Sequence, residues 1–144
     1  MGLCCLLPAN PPPNTRISCK LAACSLSLAK AQQGAQGGQP KGKLGQEFTT
    51  DEGYQYARQA GIEVLAVVKS ALATLDSVKR VVKVQGFINA TADFEEHHKV
   101  LNGCSDLFLE VFGDKGLHAR SVLGAASLRA NLPVIIDSIF EIDR

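Results

Sequence analysis

The sequence predicts an α+β fold in which two long amphipathic helices pack on one face of a mixed sheet. Three observations predict it. From Thr49 onward the apolar residues alternate between helical spacing and β-branched runs, in the order helix, strand, helix, strand, strand. Each helix carries its apolar residues on one side, and such a stripe is satisfied by covering a sheet face. All 14 acidic residues lie at or beyond Glu47, whereas five of the six prolines and four of the five cysteines precede it. The patterned part of the chain must therefore supply the core, and 144 residues in all suit one domain.

The elements follow in order. Thr49 with Glu52 three residues later fits a capping box, in which each side chain satisfies the other's exposed amide. Apolar residues then recur at Tyr56, Ala57, Ala60, Val64, Leu65, Val68, Ala71 and Leu72, which predicts a helix from about Asp51 to Leu75. Val78 to Asn89 is short and rich in valine, which predicts a strand. Its alternation puts Val82, Val84, Gly86 and Ile88 on one face and Val81, Lys83, Gln85 and Phe87 on the other. After Thr91-Ala92-Asp93 a second helix is predicted by the stripe Val100, Leu101, Cys104, Leu107, Phe108, Val111 and Phe112, with Gly113 as its stop. Gly103 inside that stripe weakens the helix by about 1 kcal/mol relative to alanine. His118 to Leu128 and Pro133 to Ile142 predict two closing strands. The short connector Arg129-Ala130-Asn131 predicts that these two pair as a hairpin. Three strands make a thin sheet for two helices, so further strands are expected within residues 14–46, although no clean alternation is visible there.

Residues 1–46 contain no Asp or Glu, and hold the run Pro11-Pro12-Pro13 and a Gly/Gln-rich stretch at 32–39. Such a composition buries little apolar surface for its length. The net charge of +1, with no basic stripe, gives no sign of a nucleic-acid partner. Cys4 and Cys5 are adjacent, Cys19 and Cys24 lack a second pair, and Cys104 sits in a helical pattern. The cysteines therefore read as reduced thiols rather than a metal site or a disulfide framework. His97 and His98, adjacent on a helix, point about 100° apart and do not converge on one ion. No metal and no cofactor are expected. The apolar run from Leu3 to Pro8 is far short of the roughly 20 residues of a membrane helix. The expectation is a cytoplasmic protein without membrane association, with organelle targeting as the alternative that the acid-free start allows.

Several strings resemble the RidA/YjgF family, the reactive intermediate deaminases also labelled endoribonuclease L-PSP. They are Arg80-Val81-Val82-Lys83-Val84-Gln85-Gly86-Phe87-Ile88-Asn89, Leu101-Asn102-Gly103-Cys104-Ser105-Asp106-Leu107 and Gly116-Leu117-His118-Ala119-Arg120-Ser121. They are most similar to a bacterial-type subgroup. The resemblance starts at Gly42-Lys43-Leu44-Gly45, so residues 42–144 read as a RidA-like α+β domain and residues 1–41 as an atypical segment, weakly ordered or non-native. It implies a chorismate-mutase-like fold and a homotrimer with a ligand cleft between subunits. The family places a Ser-Gly-Gln-x-Pro motif at the end of its second strand, where this chain has Leu26-Ser27-Leu28-Ala29-Lys30-Ala31-Gln32. Suitable codons read in a shifted frame give Leu-Ser-Gly-Gln-Gly-Pro, so part of residues 14–40 is read here as an out-of-frame translation.

The resemblance implies that Arg120 binds the carboxylate of a small acid, a task that suits the planar, always charged guanidinium fork. From the residues alone, Arg120 reads equally as an ion pair with Asp137 on the neighbouring strand or as an exposed strand-end charge. Asn102 matches a family asparagine and otherwise reads as an exposed helical residue. His118 shares a strand face with Arg120 and reads as a ligand contact or as a surface or interface histidine. Active family members carry a glutamate on the last strand; Ile135 occupies that place and cannot move a proton. Asp137, on the same face about 7 Å along, is the remaining catalytic candidate. The resemblance thus implies a homotrimer that binds small carboxylic acids at subunit interfaces and hydrolyses enamines or imines to ketoacid and ammonia. The alternative is a non-catalytic ligand-binding or interaction member. A ribonuclease, suggested by the family's older label, would need a basic groove that residues 47–144 do not show.

Overall fold

The computed structural model of the chain describes residues 15–20, 23–31 and 40–142. The proline run, Cys4, Cys5 and the Gly/Gln-rich stretch lie outside them; of segment 1–41, which includes the stretch read as out of frame, residues 15–20, 23–31 and 40–41 are described. The elements are β1 (Thr15–Lys20), β2 (Ala23–Ala31), α1 (Thr50–Leu72), β3 (Val78–Asn89), α2 (His97–Phe112), β4 (Ala119–Ala125) and β5 (Val134–Ile142). The strands form one five-stranded sheet in the order β1-β2-β5-β3-β4. β3 and β4 run parallel and the remaining neighbours antiparallel, so the sheet is mixed. The strands expected before α1 are β1 and β2.

The expected hairpin between the last two strands does not form. β4 pairs with one side of β3 and β5 with the other, so β3 separates them. The reason is burial. β5 carries Val134, Ile136 and Phe140 on one face at 0% exposure, and a place between β2 and β3 keeps that face under the helices. β4 is Ala-Arg-Ser-Val-Leu-Gly-Ala, and with little apolar surface to bury it takes the edge. α2 makes the crossover that a parallel β3–β4 pair requires. The connector still turns tightly, with Ala130 and Asn131 at positive φ, but it carries the chain past β3.

α1 begins as its sequence predicts. The Thr49 N–H donates to Glu52 Oε2 at 2.8 Å and the Glu52 N–H donates to Thr49 Oγ1 at 3.3 Å. The Thr49 N–H bond, with the Thr49 hydroxyl donating to Glu52 Oε2 at 3.0 Å, holds the Glu52 carboxyl below the usual carboxylate range. Thr49→Ala removes the hydroxyl half of the box and is expected to cost about 1 kcal/mol, measured as a lower urea midpoint at unchanged slope.

Both helices lie on one sheet face and the core fills the space between. Val64, Val68, Val84, Ile88, Val100, Leu101, Phe108, Ile136 and Phe140 are all at 0% exposure. The predicted faces of β3 change partway. Val81 and Val84 are both buried, because a bulge between Val81 and Lys83 inserts one extra residue. Beyond a bulge the alternation resumes with the opposite parity, which returns Val84, Gly86 and Ile88 to the core. The two helices cross closely at Gly103, where an added Cβ would lie 2.0 Å from the Tyr54 carbonyl oxygen.

Among the described residues no helix covers the other sheet face. On it the register sets Leu123, Phe87 and Ile135 in one row and Ser121, Gln85 and Asp137 in the next. Leu123 is 50% exposed.

Candidate functional site

Asn102 and Ser105 stand one helical turn apart, so they share a side of α2. That side flanks the apolar stripe and meets the start of β4, where His118 and Arg120 point the same way. The four side chains join in one hydrogen-bonded chain. Arg120 Nη1 donates to Asn102 Oδ1 at 2.7 Å and to Ser105 Oγ at 3.3 Å. Ser105 Oγ lies 3.1 Å from His118 Nε2, and His118 Nδ1 lies 2.6 Å from the Gly116 carbonyl oxygen. The imidazole also stands edge-on to Phe108, with ring centroids 6.2 Å apart at 73°.

Arg120 is exposed at the edge of the sheet, while Ser105 beneath it is 6% exposed. The guanidinium is thus anchored from below by Nη1. Among the described residues its hydrogen bonds all run through that one nitrogen. The pairing of Arg120 with Asp137 that the sequence allowed is overturned. Arg120 is in register with Val84 and, across β3, with Ser138, whereas Asp137 faces Gln85 on the opposite side of the sheet. Two strand spacings, about 10 Å, also separate β4 from β5. Asn102 is not a free helical residue, and His118 touches Ser105 rather than lying open on the surface. Ile135 and Asp137 share the helix-free face, so one copy of the chain does not bring them to Arg120.

Ser105 is the site residue that sequence reasoning missed. The available signal was its spacing of three from Asn102, on the flank of an otherwise apolar stripe. Cys104 next to it is at 0% exposure, and burial pushes its thiol up to about 12, so it offers no thiolate at neutral pH. Among the described residues no group of three or more His, Cys, Asp or Glu could hold a metal ion. No described helix is long and apolar enough to cross a membrane.

A separate cavity of about 370 Å³ opens at the other end of β4, lined in part by Lys43, Thr91, Phe94, His97 and Gly124. Lys43 Nζ donates there to the Ala126 carbonyl at 2.6 Å. Four residues of strand, about 13 Å, separate Gly124 from Arg120.

Comparisons with known proteins bear on the fold. Residues 17–140 match the family described as "YjgF/chorismate_mutase-like, putative endoribonuclease". Protein TCP17 of Trypanosoma cruzi is 42% identical over 108 residues, which cover 74% of this chain and 68% of that protein. The crystal structure of Atu1372, a protein of unknown function from Agrobacterium tumefaciens, superposes with a TM-score of 0.83 at 34% identity, covering 96% of this chain and 87% of that one. The YjgF gene product of Escherichia coli shares the fold, with a TM-score of 0.57 at 19% identity over 95% of this chain and 91% of its own.

Proposed function

Because the chain belongs to the YjgF/chorismate-mutase-like family, we propose that it binds small carboxylic acids on Arg120, in a cleft completed by a neighbouring copy within a homotrimer. The observation that carries this reading is the guanidinium held at one end by Asn102 and Ser105 at the exposed sheet edge. An arginine fixed in this way is ready to grip a carboxylate with two parallel hydrogen bonds. The helix-free sheet face supports the assembly. Its row of Leu123, Phe87 and Ile135 is apolar, and such a face gains by covering against another copy.

Pyruvate titrated into the full chain tests the reading. Saturable binding that Arg120→Ala weakens strongly is the expected result, and binding that Arg120→Ala leaves unweakened overturns it.

The family resemblance carries a second reading, hydrolysis of an enamine or imine to ketoacid and ammonia, for which a proton-moving group is required. Ile135 supplies none, and Asp137 can reach Arg120 only from a neighbouring copy. A non-catalytic binder gives no ketoacid release from 2-aminoacrylate generated in situ beyond the buffer rate. An acceleration by wild type that Asp137→Asn abolishes would favour the enzyme instead.

A further inference from the structure

We infer that Ser105 and His118 are positioning residues, which lock the Arg120 guanidinium by its Nη1 end and present the opposite Nε–Nη2 edge to one planar carboxylate. This rests on the reading of Arg120 as the carboxylate anchor. The direction of each hydrogen bond follows from the backbone outward. The Gly116 carbonyl oxygen can only accept, so His118 Nδ1 at 2.6 Å carries the proton. In the neutral ring Nε2 is then an acceptor, and Ser105 Oγ at 3.1 Å donates to it. With its one hydrogen engaged, Ser105 Oγ presents lone pairs only, which suits the donor-only Nη1 at 3.3 Å. Asn102 Oδ1 takes the other Nη1 hydrogen at 2.7 Å.

Both Nη1 hydrogens are therefore engaged by residues one helical turn apart, and rotation of the guanidinium is blocked at that end. The foundation is rigid, since Gly116 is buried and the imidazole packs against Phe108. Among the described residues nothing bonds Nε or Nη2. Those two N–H groups are parallel and match the two oxygens of a carboxylate. Ordering the side chain before the ligand arrives removes a cost that a loose arginine bears on binding.

The test is pyruvate binding by the full chain in wild type, Ser105→Ala and His118→Leu. Each variant is expected to bind about five-fold more weakly, the loss of roughly one hydrogen bond. His118→Gln, whose amide reaches the Nε2 position, is expected to recover most of that loss. In an Arg120→Ala background neither change alters the residual binding, because both act through the guanidinium. The Arg120 Nε–Hε signal in ¹⁵N NMR supplies a readout that needs no ligand: hindered guanidinium rotation in wild type and faster rotation in Ser105→Ala. Variants that bind like wild type, with unchanged Arg120 rotation, overturn the positioning role while leaving the anchor intact. Wild-type binding that Arg120→Ala does not weaken overturns the anchor instead. If Ser105→Ala does not fold, the wild-type spectrum decides: an Arg120 guanidinium rotating as freely as that of the exposed Arg129 contradicts the inference.

Discussion

Replacing Arg120 by alanine is expected to weaken pyruvate binding about a hundredfold, and replacing it by lysine about tenfold, with little change in stability. A hydrogen bond to a charged group contributes about 1.5–3 kcal/mol, and two act together in a bidentate grip. Alanine removes both. Lysine keeps the charge but presents it as a point on a flexible stem, and it cannot hold Asn102 and Ser105 while also meeting two carboxylate oxygens. Arg120 is exposed on an edge strand, so its removal opens no cavity. Calorimetric titration measures the affinities and thermal melting checks the fold. Lysine binding as tightly as arginine would mean that charge alone is recognised.

Gly103→Ala is expected to destabilise the fold by about 2 kcal/mol or more, against the direction that helix propensity predicts. In an isolated helix alanine would gain about 1 kcal/mol over glycine. Here the added Cβ would meet the Tyr54 carbonyl oxygen at 2.0 Å and the Arg58 amide nitrogen at 3.0 Å. Both are backbone atoms of α1, and no side-chain rotation relieves them. The helices must move apart, and the contacts around the crossing loosen, including the Tyr54 hydroxyl donating to Asp106 at 3.0 Å and the Arg58–Glu110 ion pair. Overpacking of this kind typically costs 1–3 kcal/mol, occasionally more. Asn102 and Ser105 flank the same point of α2, so carboxylate affinity should fall with stability. Urea denaturation reads the first effect and titration the second. A variant as stable as wild type would contradict the close crossing.

Much of this architecture is legible in the chain. The capping box at Thr49, the bounds of β3 and the stripe and stop of α2 are set by neighbours in sequence, and local patterns report them. Strand order is not local. The connector around Ala130 looks like a hairpin turn, yet β5 crosses to the far side of β3 because its valine and isoleucines gain more from a central place than β4 would. The bulge near Val82 is likewise invisible to a rule of strict alternation. β1 is held by pairing with β2, and β2 in turn by pairing with β5, so their weakly patterned residues give little notice of them.

The site divides in the same way. Arg120 and Asn102 are readable because guanidinium and amide chemistry is specific and the family strings mark their places. The link between Asp137 and Arg120 failed because it assumed adjacent strands; with β3 between them, one residue of register sends the two side chains to opposite faces. Ser105 was hidden by its ordinariness, a small polar residue in a helix. Its importance comes from lying between a histidine and an arginine that are distant from it in sequence.

The central claim is that a carboxylate sits on the Arg120 fork. A crystal structure of the full chain with pyruvate tests it most directly. The account predicts the carboxylate oxygens within hydrogen-bonding distance of Nε and Nη2 of Arg120, with Nη1 still on Asn102 and Ser105 and a neighbouring copy closing the cleft. Pyruvate seated instead in the cavity beside Lys43 and His97, with the Arg120 fork empty, would contradict it.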